Sequence, residues 1–404
     1  MRLMRCKNAW PIAVIAVAAA GLGGWACGGA KSGKTRRFSR SDVESYLDRL
    51  EQPGLVMGEF PLAKDAVLDG DTIRVAGLKS TLRLLAIDTE ETFKREHERR
   101  EFEKGWDGYL DRLRKKSHGR PPKAPTPLGE EAKKFAKKFF KGVKKVRLER
   151  DHPKEIRGVY SRYLVYIFAE KDGEWVNYNL ESVKAGMSPY FTKYSFSRRF
   201  HSQFVEAQEQ ARRQQIGIWE PGAMHFDDYP LRLEWWQARG DFIEAFEIEA
   251  EGKPNFITLT HWDALRRMRK LVGQEVEILG MVGDVRRGER GPTRVTLSRR
   301  RNADFPLIFF DEQVLKQSGI ERFKREFVRV RGKLTEYRYK RSGKTELQMV
   351  INAPEQIVGS QVPDLIRGPG APEPAEKKPP IKPAPVEEPD GAEQDEEVSG
   401  HVVH

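Results

Sequence analysis

Among the charged residues between Val67 and Thr92, Asp69, Asp71, Asp88 and Glu91, with Arg83 set between them, could do chemistry together. Asp69-Gly70-Asp71 closes one apolar run and opens another (Thr72, Ile73, Val75), and Asp88 follows a third run from Leu82 to Ile87. Alternation and β-branching predict strands for these runs, with Ala76-Gly77-Leu78-Lys79 as the hairpin turn and Asp71 at a strand start. Pairing the two strands brings Asp71 and Asp88 together. Carboxylates held that close repel unless a cation lies between them, and hard oxygen donors suit Ca²⁺ or Mg²⁺. Taken singly, each residue has an ordinary role: Asp-Gly-Asp as a turn, Arg83 as a cross-strand surface partner, Glu91 in a first helical turn. Only the group as a set suggests chemistry.

The elements around the group read as strands followed by helices. Apolar residues Ala132, Phe135, Ala136, Phe139 and Phe140 at helical spacing predict a core-facing helix from Glu130 to Phe140. Val143–149 and 163–168 alternate as strands, and 179–186 and 200–215 are expected helices, stopped near Gly217.

Asp-Gly-Asp-Thr at 69–72, then Arg83-Leu84-Leu85 and Asp88-Thr89-Glu90-Glu91-Thr92, resembles the staphylococcal nuclease-like (thermonuclease) family. The likeness continues in order through Gly129-Glu130-Glu131-Ala132 with Phe135, Tyr160-Ser161-Arg162-Tyr163, and Ala207-Gln208 to Trp219, so that it spans residues 61–220. It implies a five-stranded OB-type β-barrel with packed helices, part of a chain that is mainly β with α. It also implies metal ligation by Asp71, Asp88 and the carbonyl of Thr89, with Asp69 orienting the ion's surroundings and Ca²⁺ as cofactor. By the same resemblance Glu91 is the general base and Arg83 and Arg162 clamp the phosphate, a task for which a planar guanidinium fork suits better than an ammonium. The chain departs from the family at Glu90, where proline is usual; an acid there is expected either to repel Glu91 or to join the metal ligands. Ser161 replaces a glycine and Val159 stands where a lysine helps hold the nucleotide.

The chain has 404 residues, and 72 Lys+Arg against 60 Asp+Glu leave a net charge of +12, which favours an anionic partner. Residues 1–26 read as an export signal: Arg2, Arg5 and Lys7 precede a small-residue apolar run, and Ala26 precedes Cys27, a candidate lipid anchor to a membrane. The two cysteines, Cys6 and Cys27, both lie there, so no internal disulfide or cysteine metal site is available. Residues 27–60 form a spacer with a short helix. A charged insertion at 93–125 is expected to be a solvated helical face with mixed-sign pairs, the other reading being a flap over the phosphate backbone.

Beyond Pro221-Gly222, residues 221–270 read as a helical connector with Leu231, Trp235, Ala238, Phe242, Ala245 and Phe246 on its packed face. Residues 271–360 show three strands, a helix and two strands, the order of a second OB-fold barrel. Its basic loops with aromatics resemble nucleic-acid-binding modules in general pattern, and Arg287, Arg300, Tyr337 and Arg338 are its candidate contacts. In the first domain Tyr160, Tyr190 and Tyr194 are candidate base-stacking residues, with core packing the competing role. The tail 361–404 is rich in Pro and Glu and cannot build a core. No P-loop or zinc spacing is present, and His97, His118 and His152 are expected to be exposed rather than ligating.

Two functions follow. One is an exported, calcium-dependent nuclease that hydrolyses DNA or RNA with low sequence specificity, its second barrel gripping the strand. The other is a catalytically silent scaffold that binds nucleic acid or protein. No obligate protein partner is evident.

Overall fold

A computed structural model describes residues 55–360 apart from 118–120, 156, 159–161, 289–290, 299–303 and 341. The expected export signal with Cys27, the spacer up to residue 54, Tyr160, Arg300 and the tail lie outside the described residues. Strand β1 (Val56–Asp69) begins before the expected boundary at Pro61 and turns at Gly70-Asp71 into β2 (Thr72–Val75), which pairs antiparallel with β3 (Leu82–Leu84). The strand expected to reach Ile87 therefore stops early. Ala86 takes a positive φ of 60°, its carbonyl accepts from Phe191 N at 2.9 Å, and the chain peels away toward Asp88. Asp71 sits in the turn rather than in the strand.

Helices α1 (Glu96–Glu103) and α2 (Trp106–Lys116) fill the insertion. Its charged face carries pairs such as Arg114–Asp111, as expected, but Tyr109 and Leu110 are buried against Ala124, Leu128, Ile218, Phe226 and Tyr229. The insertion is thus amphipathic, not wholly solvated. Helix α3 (Pro127–Phe139) starts earlier than the sequence suggests: Thr126 Oγ1 accepts from Gly129 N at 3.1 Å, and Pro127 occupies the first helical position, where its missing N–H costs nothing.

Strands β4 (Lys145–Glu149) and β5 (Tyr163–Lys171) complete the barrel, and β6 (Glu174–Asn177) adds an edge. The parallel register Leu82↔Tyr163, Arg83↔Leu164 closes the circuit β1-β2-β3-β5-β4. β1 serves both sides because it bends: its first half pairs with β4, its second with β2, and Asp65 in between has a φ of 53°. Helices α4 (Tyr178–Lys184) and α5 (His201–Gln214) cover one end, with Tyr178 and Phe204 buried among Ile73, Leu82, Leu84 and Val165. Gly186 and Gly217 meet back to back, both at positive φ; a Cβ on Gly217 would lie 2.1 Å from the Gly186 carbonyl oxygen.

Helix α6 (Tyr229–Glu249) then links to a second barrel. Strand β7 (Phe256–Thr258) and helix α7 (Ala264–Arg269) precede β8 (Glu275–Arg286), β9 (Thr293–Ser298), β10 (Phe305–Phe309), helix α8 (Glu312–Ser318), β11 (Phe327–Arg338), β12 (Thr345–Ile351) and β13 (Ile357–Gly359). The circuit β8-β9-β10-β12-β11 closes through β11–β8, again with one parallel pair, between β10 and β12. Both barrels therefore have the same OB-type connectivity.

The packed face of α6 differs from expectation. Arg232, Trp235, Trp236, Arg239, Ile243 and Phe246 are buried, whereas Ala245 is exposed. Hydropathy alone misses two arginines whose charge is met internally: Arg232 pairs with Asp228, and Arg239 Nη1 donates to Glu326 Oε2 at 2.9 Å in a fully buried contact. Trp236 packs on Phe191 of the first barrel, while Ile243 and Phe246 pack on Leu279 and Phe327 of the second. Removing one member of a buried pair costs about 3–5 kcal/mol. Arg239→Met is expected to lower the unfolding free energy by that amount, and Arg239→Met with Glu326→Leu to recover most of it, as read by denaturant titration of tryptophan fluorescence.

Candidate active site

The site lies at the barrel end where the β1–β2 turn, the end of β3 and the start of β5 meet. Register places Arg83 across from Thr72 on one side and from Leu164 on the other, so Asp71 and Arg162 flank it. Arg83 Nη1 donates to Asp71 Oδ2, and Nη2 donates to Asp88 Oδ1 at 2.6 Å. Burial alone would lower the Arg83 pKa, but Asp71 and Asp88 outweigh it and raise it. Burial alone would likewise raise the Asp88 carboxyl; Lys123 and then Arg83 outweigh that and hold it well below the usual carboxylate range. Arg162 feels the opposite balance. Burial, then the neighbouring Arg83, pushes its guanidinium down against the pull of Asp71.

Local structure holds each acid in place. Gly70 is required because a Cβ there would lie 2.8 Å from Thr89 Oγ1 and Cγ2, and Tyr178 donates to the Gly70 carbonyl at 2.7 Å. Asp88 N donates to Ser188 Oγ at 2.9 Å. Asp69 Oδ1 accepts from Thr92 Oγ1 at 2.6 Å, which joins the two acidic turns. Glu91 is in a bridge with Pro125, not in a helix; its carbonyl accepts from Thr126 N at 3.1 Å, and Gly129 packs so closely that a Cβ would overlap that carbonyl. The Glu91 carboxylate is left partly exposed at the mouth.

Sequence reasoning missed two lysines. Lys94 Nζ lies 2.5 Å from Asp69 Oδ2 and 3.1 Å from Glu91 Oε2. Lys123 Nζ lies 3.0 Å from Asp88 Oδ1 and 3.5 Å from Glu91 Oε1. They flank the insertion, and only its folding back along α3 brings Lys123 home. Lys193 also stands near, 4.3 Å from the Trp235 ring, its pKa pushed down to about 7 by burial and by Arg239.

The Glu90 carboxyl is buried and accepts from Thr126 Oγ1, from Phe226 N at 3.0 Å and from Tyr229 Oη at 2.9 Å, tying the loop to α6. Burial raises its pKa despite these bonds.

The aromatic candidates divide. Tyr190 is core: it is buried, stacks on Phe204 at 5.0 Å and accepts from Ser197 N at 2.8 Å. Tyr194 is 55% exposed beside Phe191, whose ring lies 5.7 Å from the Arg83 guanidinium carbon. In the second barrel Arg287 is engaged by Glu321 at 2.9 Å, while Tyr337 is exposed, edge-on to Tyr339, next to the exposed Arg338. None of these lies in the acidic cluster.

The donors fit a hard divalent cation. All the candidate ligands offer oxygen, and the Asp71 and Asp88 carboxylates converge on one guanidinium. Lys94 and Lys123, with side chains 55% and 54% exposed, can swing into solvent. Asp69, Asp71, Asp88 and Glu91 then face Arg83 and Arg162 with Lys193 nearby, and a dication would offset the carboxylate charge.

A family model described as Staphylococcal nuclease homologue matches residues 81–221. That span holds Arg83, Asp88, Thr89, Glu91 and Arg162 but starts after Asp69 and Asp71, which reach the site through the β1–β2 turn. An uncharacterized protein of Methanocaldococcus jannaschii is 30% identical over 158 residues, covering 38% of this chain and 68% of that protein. Through the first of its two barrels, the chain belongs to the staphylococcal nuclease homologue family.

Proposed function

We propose that the chain is an exported, calcium-dependent nuclease that hydrolyses phosphodiester bonds of DNA or RNA with low sequence specificity. Membership in a family that is generally nucleolytic supports the class. The observation that carries the reading is Arg83 shared between Asp71 and Asp88, with Arg162 beside it and Glu91 at the same mouth.

Asp71, Asp88 and Thr89 would hold the ion, with Asp69 behind them. Bound calcium would polarise the phosphate and offset charge gathering on its oxygens. Arg83 already spends Nη1 and Nη2 on carboxylates, so it meets phosphate through its remaining N–H groups or by releasing Asp71. Arg162, without such a carboxylate clamp, is the freer donor. Glu91 accepts the proton of the attacking water once Lys94 or Lys123 yields its oxygen. Tyr194 at the rim offers a face for a base, and Tyr337 with Arg338 offers a second contact surface for single strands. Export rests on the basic, apolar N-terminus; acylation of Cys27 would anchor the protein to a membrane.

Plasmid and RNA digestion with Ca²⁺ or with chelator tests the mechanism. Glu91→Gln is expected to lose about 100- to 10,000-fold in rate with melting temperature and nucleic-acid retention unchanged, and Arg162→Lys about 100- to 1000-fold with melting temperature unchanged. Activity indifferent to both chelator and Glu91→Gln would overturn this mechanism, and no activity under any condition would leave the silent scaffold. Half-exposed ion pairs contribute about 0.2–1 kcal/mol each. Lys94→Met and Lys123→Met are therefore expected to tighten calcium binding by up to about 5-fold apiece in calorimetry; weaker binding in both would show that the lysines do not compete with the ion.

A further inference from the structure

Away from the acidic mouth, three segments converge behind the first barrel. One oxygen of Glu155, one of Glu247 and a ring nitrogen of His261 lie within 4.8 Å of one another. Glu155 belongs to the loop between β4 and β5, Glu247 to the last turns of α6, and His261 to the turn after β7. His152, expected to be exposed, instead stacks on His261 with ring centroids 4.7 Å apart.

Arg198 is shared among Asp151 at 3.3 Å, Glu155 at 3.5 Å and Glu247 at 2.5 Å. Asp151 is further served by the Arg198 and Arg199 amides and by the Tyr166 hydroxyl. Glu155 has a weak bond from Thr260 Oγ1 at 3.3 Å besides its share of the arginine. Lys154, the next cation, is paired with Asp263. Among the described residues, Glu155 and Glu247 thus share the Arg198 guanidinium with Asp151 in a largely buried setting, where buried charges need close partners.

We propose that Glu155, Glu247 and His261 bind a divalent transition metal ion, of which Zn²⁺ is the type, and that it staples the first barrel, α6 and the second barrel together. An imidazole nitrogen with two carboxylate oxygens selects such an ion over Ca²⁺, which prefers oxygen alone. His261 Nε2 is 4.0 Å from Glu155 Oε1. Bonds of about 2.1 Å set tetrahedral ligand edges of about 3.4 Å, so rotation of the glutamate side chains closes the gap. Arg198 stays with Asp151 and the outer carboxylate oxygens, as charged neighbours of metal ligands commonly do. The site is separate from the calcium reading and stands without it.

Full-length protein, stripped with chelator, would be titrated with Co²⁺ and Zn²⁺ in excess Ca²⁺. One ion per chain is expected, with visible Co²⁺ absorption bands, unchanged in Asp71→Asn/Asp88→Asn and weakened at least ~10-fold in both His261→Gln and Glu247→Gln. Melting curves of the stripped variants show that they fold, and Zn²⁺ is expected to raise the melting temperature of the wild type but of neither variant. Absence of Co²⁺ binding, binding that survives His261→Gln and Glu247→Gln, or binding lost with Asp71→Asn/Asp88→Asn would overturn the proposal.

Discussion

One guanidinium between two carboxylates sets the character of the first barrel's open end. Arg83 projects from a short strand, paired on both sides, so its position is imposed by the register with β2 and β5. Asp71 and Asp88 reach it from turns that are themselves pinned, by the Tyr178 hydroxyl and by Ser188. Removing such charges from water costs several kcal/mol per ion unless they are paired. The arginine and the acids must therefore be present together, and the turns that deliver them must be rigid. The proposed phosphate and dication would both meet a cluster that keeps the two signs this close.

The insertion acts on the same cluster from outside. Its aromatic residues build a small core of their own with α3 and the start of α6, and Lys123, next in sequence to Ala124 of that core, reaches Asp88 and Glu91. Glu90 serves the same purpose from below, because its carboxyl joins Thr126, Phe226 and Tyr229. The mouth is therefore walled by a segment that makes no part of the barrel.

The two barrels share one strand circuit but not one surface chemistry. The first carries acids at its open end, whereas the second carries arginines, several already engaged by glutamates, such as Arg294 with Glu346. α6 packs on both, through aromatic contact on one side and the buried Arg239–Glu326 pair on the other. A buried ion pair adds little net stability over well-packed apolar residues, yet it penalises any arrangement that separates its members.

Much was legible in sequence. Alternation and turn residues marked both barrels, including the three-strand, helix, two-strand order of the second, because period and punctuation are local properties of the backbone. The ordered run from Asp69 to Trp219 named the residues of the mouth for the same reason: each motif is short and contiguous. Other features needed the folded chain. The end of β3 at Leu84, the buried face of α6, the inward turn of Glu90, the core role of Tyr190, the arrival of Lys123 and the meeting of Glu155, Glu247 and His261 all depend on residues far apart in sequence. For the charged residues among them, burial beside an opposite charge decides the outcome, and a side chain's hydropathy cannot say whether that charge will be waiting.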